Sequence, residues 1–173
     1  MITWKEFAAA RPDLAGIGKR LLYQYQVGYA FLATVRKNGA PRLHPVCPAL
    51  ADDHLYVFIS ESPKRTDLLR DGRYALHTFP PEQGDEEFYC SGRAEPVSDA
   101  QIRAGVIAAY HRRPHDTEML FELKLDRVLH TTWRIGLHPR VARIVHGGTR
   151  RHESTPCYNH ITFTQSSSLI PHP

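Results

Sequence analysis

Cysteine is scarce in this chain: three in 173 residues, Cys47, Cys90 and Cys157, odd in number, far apart and with no pair at metal-ligand spacing. That excludes a disulfide framework and points to the reducing cytoplasm. No apolar run approaches membrane-spanning length. Met1-Ile2-Thr3-Trp4-Lys5-Glu6 also lacks the charged, then apolar, then small-residue order of a secretory leader. Neither sign of charge dominates, with 22 Lys plus Arg against 18 Asp plus Glu, a surplus too small to argue for nucleic acid. There is no Walker sequence and no Gly-x-Ser-x-Gly elbow, and Gly16-x-Gly18 follows no strand. Nucleotide hydrolysis and serine-hydrolase chemistry therefore gain no support.

What is present fits one domain with one core. Thr3-x-x-Glu6 is a capping box, and Ile17, Leu21, Leu22 and Tyr25 recur at helical spacing, so residues 1–26 read as mostly helical. Tyr29 to Val35 turns strand-like. Asn38-Gly39 then favours the primed turn of a hairpin, with Arg42 to Leu50 as the return strand. Leu55 to Ile59 is a compact apolar strand, and it feeds a short helix in which Ser62 is the expected N-cap, Pro63 the first residue and Gly72 the stop. Tyr74 to Phe79 and Phe88 to Val97 are further strands, Gly92 and Pro96 marking bends or an edge. Ser98-x-x-Gln101 caps a last helix carrying Ile102, Val106, Ala109 and Tyr110. Two or three strands are then expected, near Leu120 to Leu125, Val128 to Trp133 and Val141 to His146. The pattern fades into a loosely held tail over 149–173. Short strands with brief helices between them imply a mainly β antiparallel barrel over 1–148 rather than a parallel α/β sheet.

Lys64 and Arg65 occupy the first helical turn, where the macrodipole disfavours cations and free N–H groups favour an anion. Two solvated side chains explain that pair equally well. Arg42 on the neighbouring hairpin shifts the balance, since a second cation at the same spot suits a phosphate monoester. His44-Pro45-Val46 places a proline in mid-strand, which implies an edge. The 11 histidines invite a metal, but Pro114 separates His111 from His115, and His146, His152, Cys157 and His160 lie in the least regular stretch. No metal site is expected. Cys47 and His44, three apart on a strand, point to opposite faces and make no thiolate–imidazole pair.

Taken in order, Tyr29-Ala30-Phe31-Leu32-Ala33-Thr34-Val35, Asn38-Gly39-Ala40-Pro41-Arg42, Pro45-Val46, Leu55-Tyr56-Val57-Phe58, Ser62-Pro63-Lys64-Arg65-Thr66-Asp67-Leu68-Leu69 and Ser91-Gly92-Arg93-Ala94 resemble the pyridoxamine 5'-phosphate oxidase-like flavin-binding split barrels. Phe121-Glu122-Leu123 and Thr131-Thr132-Trp133 extend the likeness. The resemblance implies a six-stranded, Greek-key antiparallel split barrel and a homodimer with FMN in two grooves at the subunit interface. By it, Arg42 and Lys64 hold the phosphate with Ser60 nearby. The backbone of Arg42, Leu43, His44, Pro45 and Val46 lines the isoalloxazine edge, Ile59 lies along the cofactor, and Trp133, from the partner subunit, completes the pocket. The vitamin-synthesising members carry a second basic residue where Cys47 stands and an arginine where Pro63 stands; Arg65 compensates in part. Their C-terminal arginine motif has no counterpart before Ile170-Pro171-His172-Pro173. The flavin is carried over and the vitamin is not.

The expected activity is thus FMN-dependent two-electron transfer with a small-molecule substrate or nicotinamide donor, and His44 is the one candidate for proton transfer. Three alternatives stay open: a deazaflavin in place of FMN, a non-catalytic haem- or flavin-binding module, and an interaction protein whose groove is empty.

Overall fold

A computed structural model describes residues 1–82, 85–135 and 161–169, with side chains described through residue 132. The chain opens with α1 (Trp4–Ala10) and α2 (Pro12–Leu22). The expected capping box is formed: the Thr3 hydroxyl accepts from the Glu6 N–H, and the Glu6 carboxylate accepts from the Thr3 N–H at 2.7 Å. Strands and helices then follow as β1 (Ala30–Val35), β2 (Pro41–Val46), β3 (Pro48–Ala51), β4 (His54–Ile59), α3 (Pro63–Arg70), β5 (Arg73–Thr78), β6 (Glu86–Val97), α4 (Ala100–Ala109), β7 (Met119–Ile135) and β8 (Ile161–Leu169). The protein is mainly β with four short helices on one antiparallel sheet. No described helix is long and apolar enough to cross a membrane.

Seven strands lie on the main path, in the order β2-β1-β5-β6-β7-β4-β3, and β8 pairs with the far half of β7. The expected count of six is thereby corrected, for two reasons. The return strand expected over Arg42 to Leu50 breaks at Cys47 into β2 and β3, which pair with different neighbours. Conversely, the two strands expected near Leu120 to Leu125 and Val128 to Trp133 are one strand, β7. Its register against β6 jumps from Gly92↔Leu125 to Ser91↔Arg127, leaving Asp126 as the extra residue of a bulge. The strand expected at Val141 to His146 lies outside the described residues. Part of the segment expected as a loosely held tail, Ile161–Leu169, is strand β8.

The two ends of the path, β2 and β3, are separated in sequence by Cys47 alone. One residue spans only about 7 Å between its neighbours, so the sheet curls until its two edges meet at that corner. Away from it they are not hydrogen-bonded, which leaves a half-barrel consistent with a split barrel.

Local chemistry differs from expectation at three turns. The Asn38-Gly39 hairpin forms, but only Gly39 is left-handed (φ 83°), so the turn is an Arg36-to-Gly39 bend followed by one left-handed residue. The two-residue primed turn is instead Asp52-Asp53, with φ of 47° and 60° between Ala51 and His54. On α4 the cap is Asp99 rather than Ser98, its carboxylate accepting from Gln101 and Ile102 N–H groups.

Alternation on β1 buries Ala30, Leu32 and Thr34 and turns Phe31, Ala33 and Val35 outward. The inward side chains join Leu76, Phe88, Phe121, Leu123 and Leu125, closed over by Trp4, Phe7, Leu21 and Leu22 of the N-terminal helices. A second cluster lies under α4, where Val106 meets Ala49, Tyr56, Phe58 and Leu120.

Candidate functional site

The split corner gathers residues distant in sequence. Arg42 and His44 share one face of β2, while Pro41, Leu43 and Pro45 turn outward, Leu43 with 62% of its surface exposed. Arg42 is fixed by Asp67 of α3: its Nε donates to Asp67 Oδ2 at 2.7 Å. The same carboxylate accepts from the Thr34 hydroxyl at 3.1 Å and from Arg70 Nη1 at 3.2 Å, and it is only 4% exposed. Burial pushes the Asp67 carboxyl up, but the bonds from Arg42, Thr34 and Arg70 outweigh it and hold the group below its usual range. Arg70 also donates to the Val35 carbonyl. One carboxylate therefore ties α3 to both strands of the first hairpin.

Lys64, the second residue of α3, is half-buried. Desolvation lowers its pKa, opposed by Cys47 and Glu118. Among the described residues its ammonium makes no hydrogen bond or ion pair. His44 feels both cations: desolvation first, then Lys64, Arg42 and Arg36, push its pKa down. The shift favours the neutral imidazole, with Lys64 and Arg42 among the charges acting on it.

The remaining expected site residues are placed as follows. Val46 and Ile59 are core side chains, Ile59 fully buried, so only their backbone is available to a ligand. The Ser60 hydroxyl donates to Glu118 Oε1 at 2.9 Å. Ser62 occupies the N-cap position of α3, yet its hydroxyl donates to the Ser60 carbonyl and caps nothing, so the first-turn N–H groups lack a side-chain partner. Arg65 is drawn away from Arg42: it donates to the Thr117 carbonyl at 2.9 Å and lies 3.5 Å from Glu61 Oε1. Trp133 belongs to β7 and registers with Phe163; its side chain lies outside the described residues. Cys47 is the single link between β2 and β3, its thiol raised by burial against the opposing pull of Arg112 and Lys64.

Two features of this corner escaped sequence reasoning. Glu118 is 4% exposed and takes both Arg112 nitrogens, at 2.8 and 3.0 Å, with the Ser60 hydroxyl and the His115 N–H. The Arg112 bond holds its carboxyl low, while burial opposes. The six-residue step from Arg112 to Glu118 crosses Pro114 and fits no regular period, so only the folded chain shows the pair. The second is an open groove of about 1020 Å³ between the hairpin tip and α3, lined by Arg36, Lys37, Arg42, Thr66, Asp67 and Arg70 among others. Among the described residues no group of three or more His, Cys, Asp or Glu is placed to hold a metal; His146, His152, Cys157 and His160 lie outside them.

An antiparallel sheet curled until its end strands meet at Cys47 is the architecture of a split-barrel protein. A family model described as Pyridoxamine 5'-phosphate oxidase matches residues 23–132, and the chain belongs to that family. Membership is of the family and not identity with the vitamin-synthesising oxidase. Among curated proteins none matches the sequence. Solved structures share the fold at low identity. A putative 5-nitroimidazole antibiotic resistance protein from Bacteroides thetaiotaomicron is 15% identical with a TM-score of 0.55, over 66% of this chain and 81% of that one. HutZ, the haem storage protein from Vibrio cholerae, is 19% identical with a TM-score of 0.54, over 65% and 89%. A haem binding protein from Mycobacterium smegmatis is 18% identical with a TM-score of 0.53, over 65% of this chain and 52% of that one, so the match spans about half the latter's length.

Proposed function

We propose that the protein is a cytoplasmic, homodimeric FMN-dependent oxidoreductase whose cofactor phosphate is held between Arg42 and Lys64. One observation carries this reading: Lys64 is half-buried and makes no hydrogen bond or ion pair among the described residues, and its charge acts on His44 together with that of Arg42. A half-buried ammonium without a direct ion pair is costly, and a phosphate dianion is a ligand that relieves it. In the first turn of α3, where Pro63 has no N–H and Arg65 and Thr66 donate to the Ser62 carbonyl, the Lys64 N–H remains available to an anion. Bound FMN supplies two-electron, hydride-type chemistry. The chain's own part is to orient and to manage protons: Asp67 fixes the Arg42 fork, β2 offers an edge backbone, and neutral His44 would accept the proton that a small-molecule substrate releases as its hydride passes to the flavin, a step that a nicotinamide donor does not need.

Replacing Lys64 by Ala is expected to weaken FMN binding by about 1 to 3 kcal/mol, while riboflavin, which has no phosphate, binds both forms alike. Fluorescence titration of both flavins measures this, and an unchanged FMN affinity removes Lys64 from the site. Reconstitution with FMN, a deazaflavin or haem in parallel separates the rival occupants. The haem arm is prompted by the names of two of the compared structures.

The outer face of β1, β2 and β5 suits a second copy of the chain. Register sets Phe31 beside Pro45 and His77, and Ala33 beside Leu43 and Ala75. Phe31 stacks on Phe79 at 4.2 Å, with Tyr29 beside them and 38% exposed. Leu43 is its most exposed apolar side chain, on the edge strand β2, and an apolar sheet face continuous with the cofactor strand is what an interface-bound flavin requires. Leu43→Glu is expected to weaken self-association by about 2 kcal/mol, roughly thirtyfold, in sedimentation velocity. A variant that associates as tightly as the parent places the interface elsewhere.

A further inference from the structure

The groove beside Arg42 is larger and more positive than a phosphate monoester needs. Its volume of about 1020 Å³ is walled on one side by the hairpin tip, Arg36 and Lys37, and on the other by Thr66, Asp67 and Arg70 of α3. Four cations line it against one carboxylate, and that carboxylate is already shared by Arg42 and Arg70. Lys64 is not among the lining residues although Pro63 before it is, so the groove extends from the start of α3 past Arg42 to the hairpin tip.

We infer that this groove is a second anion site, adjoining the Arg42–Lys64 corner, which takes a further phosphoryl group of a nucleotide. That group stands either further along the flavin cofactor itself or on a separate nucleotide co-substrate. Arg36 and Lys37 support it. Both line the groove, and neither side chain makes a hydrogen bond or ion pair among the described residues. Isolated surface cations bind little, but several on the walls of one concavity focus their field where an anion can sit. The Thr66 hydroxyl adds a neutral donor on the α3 wall. Arg42 stands between the two sites, and to that extent the inference rests on the flavin reading above.

The test measures binding of FMN, FAD and ADP to the full chain and to a double variant, Arg36→Ala with Lys37→Ala. Both substitutions are at exposed turn positions and leave the core untouched. A second phosphoryl carried by the cofactor makes FAD bind about tenfold more tightly than FMN, and the double variant brings that ratio near one. A second phosphoryl carried by a co-substrate leaves FMN and FAD alike, while ADP binds alongside FMN and loses about tenfold in the double variant. The inference is overturned if FAD shows no advantage and ADP does not bind. It is overturned equally if the double variant weakens FMN as much as FAD, since the groove is then only part of the monoester site. Should no flavin bind while ADP still binds through Arg36 and Lys37, the flavin reading fails and the groove stands as an anion site by itself.

Discussion

Replacing Asp67 by Ala is expected to cost about 3 kcal/mol of folding free energy, which for a chain of this length lowers the melting temperature by about 6 to 12 °C. The carboxylate is nearly inaccessible and is the common acceptor for Arg42, Thr34 and Arg70. Its removal leaves two partly buried guanidinium groups facing each other across a cavity. Asp67→Asn keeps the volume and removes the charge, which isolates the electrostatic part. Because the folded-state carboxyl is held below its usual range, Asp67 stabilises the fold above the unfolded carboxylate pKa of about 4. That stability is lost as pH falls through the lower folded value. Thermal unfolding at stepped pH should therefore show a steeper acid decline in the parent than in Asp67→Asn. Identical acid slopes, or a loss below about 1 kcal/mol for Asp67→Ala, would show that the triple bond to this carboxylate is not what joins α3 to the hairpin.

Asp67 also marks the boundary of what the sequence can reveal. Signals confined to a few residues were legible: Thr3 with Glu6, proline at the start of α3, glycine at its end, and the apolar runs that became β1, β4 and β5. Each depends on chemistry within one turn of chain. Pairings set by the curl of the sheet were not. Asp67 meets Arg42 across 25 positions, Ser60 meets Glu118 across 58, and nothing in either segment names its partner. The break at Cys47 was hidden for a related reason: Arg42 to Leu50 reads as one strand, but closing the barrel requires its two halves to serve opposite ends of the sheet. At Asp126 the error ran the other way. Asp-Arg reads as the gap between two strands, whereas a single bulged residue lets β7 continue past it. Arg42 and Lys64 were each legible from a local signal; the groove was not, because its walls come from a turn and a helix face brought together only by the fold.

Gly92→Ala is expected to be the most damaging single methyl addition in the sheet, at about 3 kcal/mol. Gly92 lies on β6 beside the bulge, and a Cβ built there would fall 2.0 Å from the Lys124 carbonyl oxygen and 3.1 Å from the Asp126 nitrogen. Both obstacles are backbone, so no side-chain rotation relieves the clash and the two strands must separate locally. Gly16→Ala provides the control: the site is exposed on α2 with nothing within 4 Å, and alanine there should stabilise by about 0.5 to 1 kcal/mol. Denaturant midpoints for the two variants should move in opposite directions; a Gly92→Ala protein as stable as its parent would mean that β6 and β7 do not approach this closely. The consequence reaches the cofactor corner, because β7 carries β4 along its first turn of pairing, from Tyr56↔Glu122 to Ile59↔Met119. Ser60 follows Ile59 and Glu118 precedes Met119, so a strand displaced at the bulge shifts the frame on which Lys64 is mounted. Flavin affinity in Gly92→Ala should accordingly fall even where the protein remains folded.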